Sequence, residues 1–131
     1  MKAVKGEENF LITEDKIGKL EEITRDIKDN KINIRSINAY SDGAKAYFRL
    51  LTSNNTTTKE ILKKFGTVES KEVVIVDMPD EIGQLHSLAV KLKEANININ
   101  YMYGTAATPK GSVIVVFSSD DNNKAIEILS Q

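Results

Sequence analysis

Residues Asp77–Gly104 read DMPDEIGQLHSLAVKLKEANININYMYG, and the reading of this stretch decides the fold. Pro79-Asp80 makes a turn at the end of an apolar strand. Ile82, Leu85, Leu88, Ala89, Leu92 and Ala95 then recur at helical spacing, which predicts a helix with one buried stripe. Ile97, Ile99, Tyr101 and Tyr103 alternate along a following strand. A weaker copy, TEDKIGKLEEITRDIKDNKINIRSINAY, lies upstream at Thr13–Tyr40. The copies align at an offset of 65 (Gly83 minus Gly18), which also superposes Asp15 on Asp80, Ile17 on Ile82, Leu20 on Leu85, and Ile32-Asn33-Ile34 on Ile97-Asn98-Ile99.

Working outward, each copy carries the same neighbours. Before the first lies an apolar run from Phe10 to Thr13, with a strand start near Val4 as an option. Its helix stripe is Ile17, Leu20, Ile23 and Ile27, and its second strand runs from Ile32 towards Tyr40. Ser41-Asp42-Gly43 signals a hairpin into the strand Ala44–Thr52. Thr57 and Glu60 have capping-box spacing, so a helix is expected over about 59–65, closed by Gly66. In the second copy, Val68–Asp77 supplies one long strand or two short ones. Gly104–Lys110 is a loop containing Pro109, Ser112–Phe117 is an apolar strand, and Ala125–Leu129 is a short last helix. At the hairpin the glycines Gly43 and Gly111 give an offset of 68, a longer loop in the second copy. Both copies therefore read β-α-β-β-α.

Two such units, assigned to residues 1–68 and 69–131, predict an α+β protein of two tandem ferredoxin-like βαββα(β) units, antiparallel sheets with helices on one face. A repeat of about 65 residues buries too little surface to stand comfortably alone. The halves are therefore expected to cover each other or to pair, and two chains to form a homodimer. Val68–Asp77 looks short for the last strand of one unit plus the first of the next. A strand that crosses between units or chains is one solution.

Composition narrows the function. The 131 residues carry a net charge of −1, which gives no electrostatic pull towards nucleic acid or an anionic membrane. The absence of cysteine removes disulfides, thiolate metal sites and cysteine nucleophiles. MKAVKGEENF has no apolar core of a signal peptide, so a cytoplasmic location is expected. There is no phosphate loop, no metal-ligand cluster and no credible triad, so neither an enzyme nor a cofactor is expected. His86, the single histidine, reads as a solvent-facing helix residue. Lys110–Phe117 partly echoes an RNA-binding strand motif, but Ser112 and Ile114 stand where its stacking aromatics belong.

The glycine turns carry the candidate chemistry. A helix beginning at Asp80 or Glu81 presents unpaired N–H groups and partial positive charge to a carboxylate. Gly83 and Gly18 admit close approach. Asp80 and Asp15 can receive an ammonium group, and the amides of Asn98 and Asn33 both donate and accept. Together these groups describe the head of a free amino acid. Each also has a plainer role: the aspartates as helix N-caps, the glycines as packing positions, the asparagines as bridges between strands.

The sequence MPDEIGQL followed by ANININYMYG, with its weaker partner upstream, resembles the ACT domain, a small-molecule-binding regulatory module. Two copies over nearly the whole chain resemble the small stand-alone tandem ACT proteins. The proline-glycine pair usual in that family is Ile82-Gly83 here and Ile17-Gly18 in the first copy. The resemblance implies ligand binding at interfaces between units, at Asp15, Ile17, Gly18, Lys19, Leu20 and Asn33 and at Asp80, Ile82, Gly83, Gln84, Leu85 and Asn98, with the second copy's turn favoured. It implies regulation, with a protein partner as the output. The competing reading keeps the same fold as a protein-interaction or dimerisation module that binds no small ligand.

Overall fold

The computed structural model describes residues 1–106 and 111–131. Its elements are β1 (Lys2–Glu14), α1 (Lys19–Asp29), β2 (Ile34–Ser41), β3 (Lys45–Thr52), α2 (Asn55–Leu62), β4 (Thr67–Pro79), α3 (Gln84–Glu94), β5 (Ile99–Ala106), β6 (Ser112–Ser119) and α4 (Asn122–Leu129). The part of the expected 104–110 loop from Ala107 to Lys110, including Pro109 and the lysine of the RNA-binding echo, lies outside the described residues.

The repeat holds in geometry as well as in order. Gly18 and Gly83, the residues just before α1 and α3, have φ/ψ of 90/−3° and 88/−2°. Lys31 and Asn96, just after these helices, both have φ 59°. The residues capping α2 and α4, Asn54 and Asp121, sit at −149/86° and −151/82°, and each side chain accepts from an N–H three residues on, Thr57 or Lys124, at 3.0 Å.

The chain forms two compact units, Glu7–Lys71 and Met1–Gly6 with Glu72–Gln131. In the first-repeat unit, β3 lies between β2 and β1, antiparallel to both. Leu11, Ala46, Phe48 and Leu50 share the sheet face that meets Ile23, Ile27, Ile61 and Leu62 of the helices. In the second-repeat unit, β6 lies between β5 and β4 in the same way. Val74, Val76, Met78, Val115 and Phe117 pack there against Leu88, Leu92, Ala125 and Leu129. Each unit is thus α+β and ferredoxin-like, an antiparallel sheet with both helices on one face.

A fourth strand reaches each unit from the other repeat. Ala3 and Met1, from the start of β1, join the second-repeat core, where the Ser130 hydroxyl donates to the Ala3 carbonyl at 3.4 Å. Val68, from the start of β4, packs on the first-repeat core. The two thirteen-residue strands therefore do the work of four, which is why the joining segment looked too short.

Several local expectations change. Helices α1 and α3 start after their glycines, so Asp15 and Asp80 lie outside them and cap neither. The first buried apolar residues of the stripes are Ile23 and Leu88, six residues further on. Ile17 and Ile82 are fully exposed, Leu20 and Leu85 are half exposed, and Ala89 is exposed, while Lys19 is buried. α2 begins at Asn55, with Asn54 rather than Thr57 as its cap. It ends at Leu62, and Gly66 is not its terminator. A Cβ on Gly66 would stand 2.1 Å from the Ile12 carbonyl oxygen, so close strand approach requires glycine there. Strand pairing sets Tyr47 opposite Ile12 and Ile114 opposite Asp77, an offset of 67 (114 minus 47) rather than 68.

These contacts separate Gly6 of β1 from Gly66, which immediately precedes β4. At Gly6 the nearest atoms to a Cβ are side chains, Ile75 Cδ1 at 2.6 Å and Val73 Cγ2 at 3.4 Å, whereas at Gly66 they are backbone. Gly66→Ala is expected to cost ~3 kcal/mol or more, and Gly6→Ala clearly less. Urea unfolding of both variants checks this, and equal losses would refute the backbone clash.

Candidate functional site

Each glycine turn overlooks a cavity. The one in the second repeat measures about 370 Å³. Asp80, Glu81, Gln84 and Leu85 form its rim, with Tyr103, Gly104 and Thr105 from the end of β5, and Met78, Met102, Val113 and Val115 form its apolar floor. The first-repeat counterpart, about 320 Å³, is lined by Asp15, Lys16, Gly18, Lys19 and Leu20, by Ala39, Tyr40 and Ser41 of β2, and by Ala46 and Phe48 of β3.

The glycines have a definite local cause. Their positive φ is a region that residues with a Cβ enter only at a cost. A Cβ there would meet nothing within 4 Å, so conformation and not crowding demands glycine. Neither helix start has a side-chain cap hydrogen bond. The first turn of α3 is joined to the chain before it by Gln84 N–H on the Glu81 carbonyl at 3.3 Å, and Asp80 N–H reaches the Gly111 carbonyl at 2.9 Å.

The structure brings together most, but not all, of the expected site residues. Asp80, Gln84 and Leu85 share one cavity; Asp15, Gly18, Lys19 and Leu20 share the other. Gly83 adjoins the second cavity through Gln84. Ile17 and Ile82 stand on the same turns but point to solvent. Asn33 and Asn98 line neither cavity. Each lies at the far end of its helix, an eleven-residue span of about 16 Å, with its backbone bonded to Ser53 or Asp120. Sequence reading missed the floor and the β5 rim. The usable signal was the reversal of direction through helix and strand, which returns the end of β5, not its start, to the glycine turn.

Charge differs between the turns. Lys19 Nζ lies 3.3 Å from Glu14 Oε1 and 3.6 Å from Glu22 Oε2, and 5.7 Å from the Phe65 ring centre. The Ser41 hydroxyl donates to Asp15 Oδ2 at 2.6 Å, fixing the aspartate against the β2–β3 hairpin. At the tip of that hairpin, Asp42 accepts from Lys45 N–H at 2.8 Å, from the Tyr47 hydroxyl at 2.8 Å and from Ala44 N–H at 3.0 Å. These bonds, Lys45 N–H first, hold its carboxyl down to about 2. The same bond to Asp42 raises the Tyr47 hydroxyl. A larger depression of about 720 Å³ lies where α3 ends beside α4, but charged ends of Lys91, Glu94 and Lys124 line it, and Lys124 Nζ is held by the Ala95 carbonyl at 2.7 Å.

With fold and turns established, comparison with known proteins is direct. The ACT domain pair family matches residues 7–131, and the chain belongs to that family. A protein of known structure from Bacteroides thetaiotaomicron superposes with a TM-score of 0.87 at 25% identity, over 97% of this chain and 88% of that one. The ligand-free regulatory subunit of aspartate kinase from Thermus thermophilus gives 0.68 at 12% identity, over 98% and 95%. The regulatory subunit of aspartate kinase from Thermus flavus gives 0.63 at 13%, over 98% and 95%. The two likenesses to aspartate kinase subunits are of fold. No curated protein sequence matches this chain significantly. Among the described residues no helix is long and apolar enough to cross a membrane, and no three metal-binding side chains cluster.

The Asp42 bonds set a pH signature. Because the folded carboxyl titrates below its unfolded value, their contribution is complete above the unfolded pKa near 3.9 and is lost as pH falls through about 2. A carboxyl carbon titration by NMR should place Asp42 near 2, and Tyr47→Phe should move it upwards. A midpoint near 4 would refute the hairpin network.

Proposed function

We propose that this chain is a non-catalytic regulatory protein of the cytoplasm that binds a free amino acid at its glycine turns and acts as a homodimer. The observation that carries the reading is the placement of a cavity of ligand size beside the uncapped start of α3. A carboxylate meets the positive end of the helix dipole at the first turn of α3. The carboxylate of Asp80 on the rim suits the ammonium group, and the side chain enters the floor. Asp15, Gly18, Lys19 and Leu20 offer a second, differently charged version. Asn33 and Asn98 lie too far from the turns of their own units, and in this reading they serve a ligand only from another unit. Ile17 and Ile82 then belong to the surface that reports binding. By linkage, a partner that responds to the ligand changes ligand affinity by the same factor.

The full exposure of Ile17 and Ile82 at matching positions favours one rival, an interaction module that binds no small molecule. Thermal unfolding of the full chain against the common amino acids decides between them. A ligand at 100 times its dissociation constant should add roughly 2.7 kcal/mol. Gly83→Val, forced out of the left-handed conformation that starts α3, should abolish that gain. Stability unmoved by every amino acid would favour the interaction module, and a gain that survives Gly83→Val would move the site elsewhere.

A further inference from the structure

The two turns match in backbone, yet what lies beneath them differs. Strand pairing sets Thr13 against Met78, Ala39 against Gly104 and Phe48 against Val115, and the first helical residues set Lys19 against Gln84. In the first repeat, Lys19 is only 9% exposed and lies along its cavity, its charge met by Glu14 and Glu22. Phe48 lines the same cavity, and the Thr13 hydroxyl donates to the Phe65 carbonyl at 2.7 Å. Buried polar or charged residues among those described all belong to this unit: Glu8, Asn9, Thr13, Lys19, Thr52 and Thr58. In the second repeat, Gln84 is neutral and shorter, and Pro79 stands where Glu14 would pair a lysine. The floor there is made of two methionines and two valines.

We infer that the second-repeat cavity is the chain's amino-acid site, that it selects an apolar side chain of the leucine, isoleucine or methionine kind, and that the charge of Lys19 in the lining of the smaller first-repeat cavity makes that cavity unfit for one. The inference rests on the reading that the glycine turns bind free amino acids, and it adds which turn binds and what the floor selects. Val115 stands where the first repeat has the Phe48 ring, and flexible methionines at positions 78 and 102 adapt to branched or straight chains. Each additional methylene buried on that floor is worth about fourfold in affinity. A charged side chain finds no partner among the floor residues, so aspartate and lysine are rejected by desolvation.

Titration calorimetry of the full chain with leucine, methionine, alanine, aspartate and lysine tests this. The expected result is one site per chain, leucine and methionine at least about tenfold tighter than alanine, and no heat from the two charged amino acids. Gln84→Lys, at the half-buried cavity rim, should weaken leucine about tenfold or more while the circular dichroism spectrum stays native. Lys19→Gln should raise the stoichiometry towards two. Two sites in the unaltered chain, aspartate or lysine bound as tightly as leucine, full leucine affinity in Gln84→Lys, or a stoichiometry still at one in Lys19→Gln would each overturn the assignment. Silence from every amino acid would instead remove the underlying amino-acid reading, a separate outcome.

Discussion

Each core in this protein depends on a strand segment that its own repeat does not supply. A repeat of about 65 residues has too little interior to offset the conformational entropy of folding. Here β1 and β4 run for thirteen residues each, and each divides its length between two units. Met1 and Ala3 lie in a core built otherwise from residues beyond 72, and Val68 serves a core built from residues before it. The glycines at the shared stretch follow from this sharing. Gly6 rests against Ile75 and Gly66 against the Ile12 carbonyl, positions where strands approach closely and side chains are excluded. The repeats are therefore not separable modules joined by a linker, although their sequences read as consecutive copies.

Much of this was legible in the residues. The element order, the doubled glycine turn and the antiparallel pairing follow from periodicity and turn signals, and the glycine turn with its repeated I-N-I strand carried the resemblance to the family. What escaped was helix phase. A stripe counted by spacing alone begins at Ile17 and Ile82, because both fit the i, i+3 series. The left-handed glycine starts each helix one residue later and turns the preceding isoleucine outward. That leaves Lys19 inward, its long stem covered and its charge met by glutamates, against the usual preference of lysine. Spacing cannot report this, because it depends on one backbone dihedral.

The site divided along the same line. The turn residues are contiguous, so sequence could group them. The cavity floor comes from strands paired at an offset of 67, where matched hairpin glycines suggest 68. A slip of one residue exchanges the two faces of a strand and sends Val113 and Val115 to the wrong side. Asn33 and Asn98 line neither cavity for a different reason. They are near the glycines in the sequence pattern, but an intervening helix carries them to the opposite end of the unit. A motif that repeats at fixed spacing proves a repeated structure without proving that its members meet.

The exposed isoleucines bear on how binding at the turn would be felt elsewhere. A fully exposed isoleucine is ordinary once, but the same exposure at both copies of one turn has a shared cause in the glycine that follows. Ile82 sits between Asp80 on the cavity rim and Gly83 at the start of α3. A ligand held by the rim and the first helical turn orders the same four residues that present Ile82 to solvent. A partner that buries Ile82 orders them too. Each event removes conformational freedom that the other would otherwise have to remove, so the two reinforce each other without any rearrangement of the sheet. In the first repeat Lys19, with Glu14 and Glu22, already holds the corresponding turn. Under the proposed reading, its exposed Ile17 would be presented whether or not ligand is present, and the regulated surface would fall to the second turn.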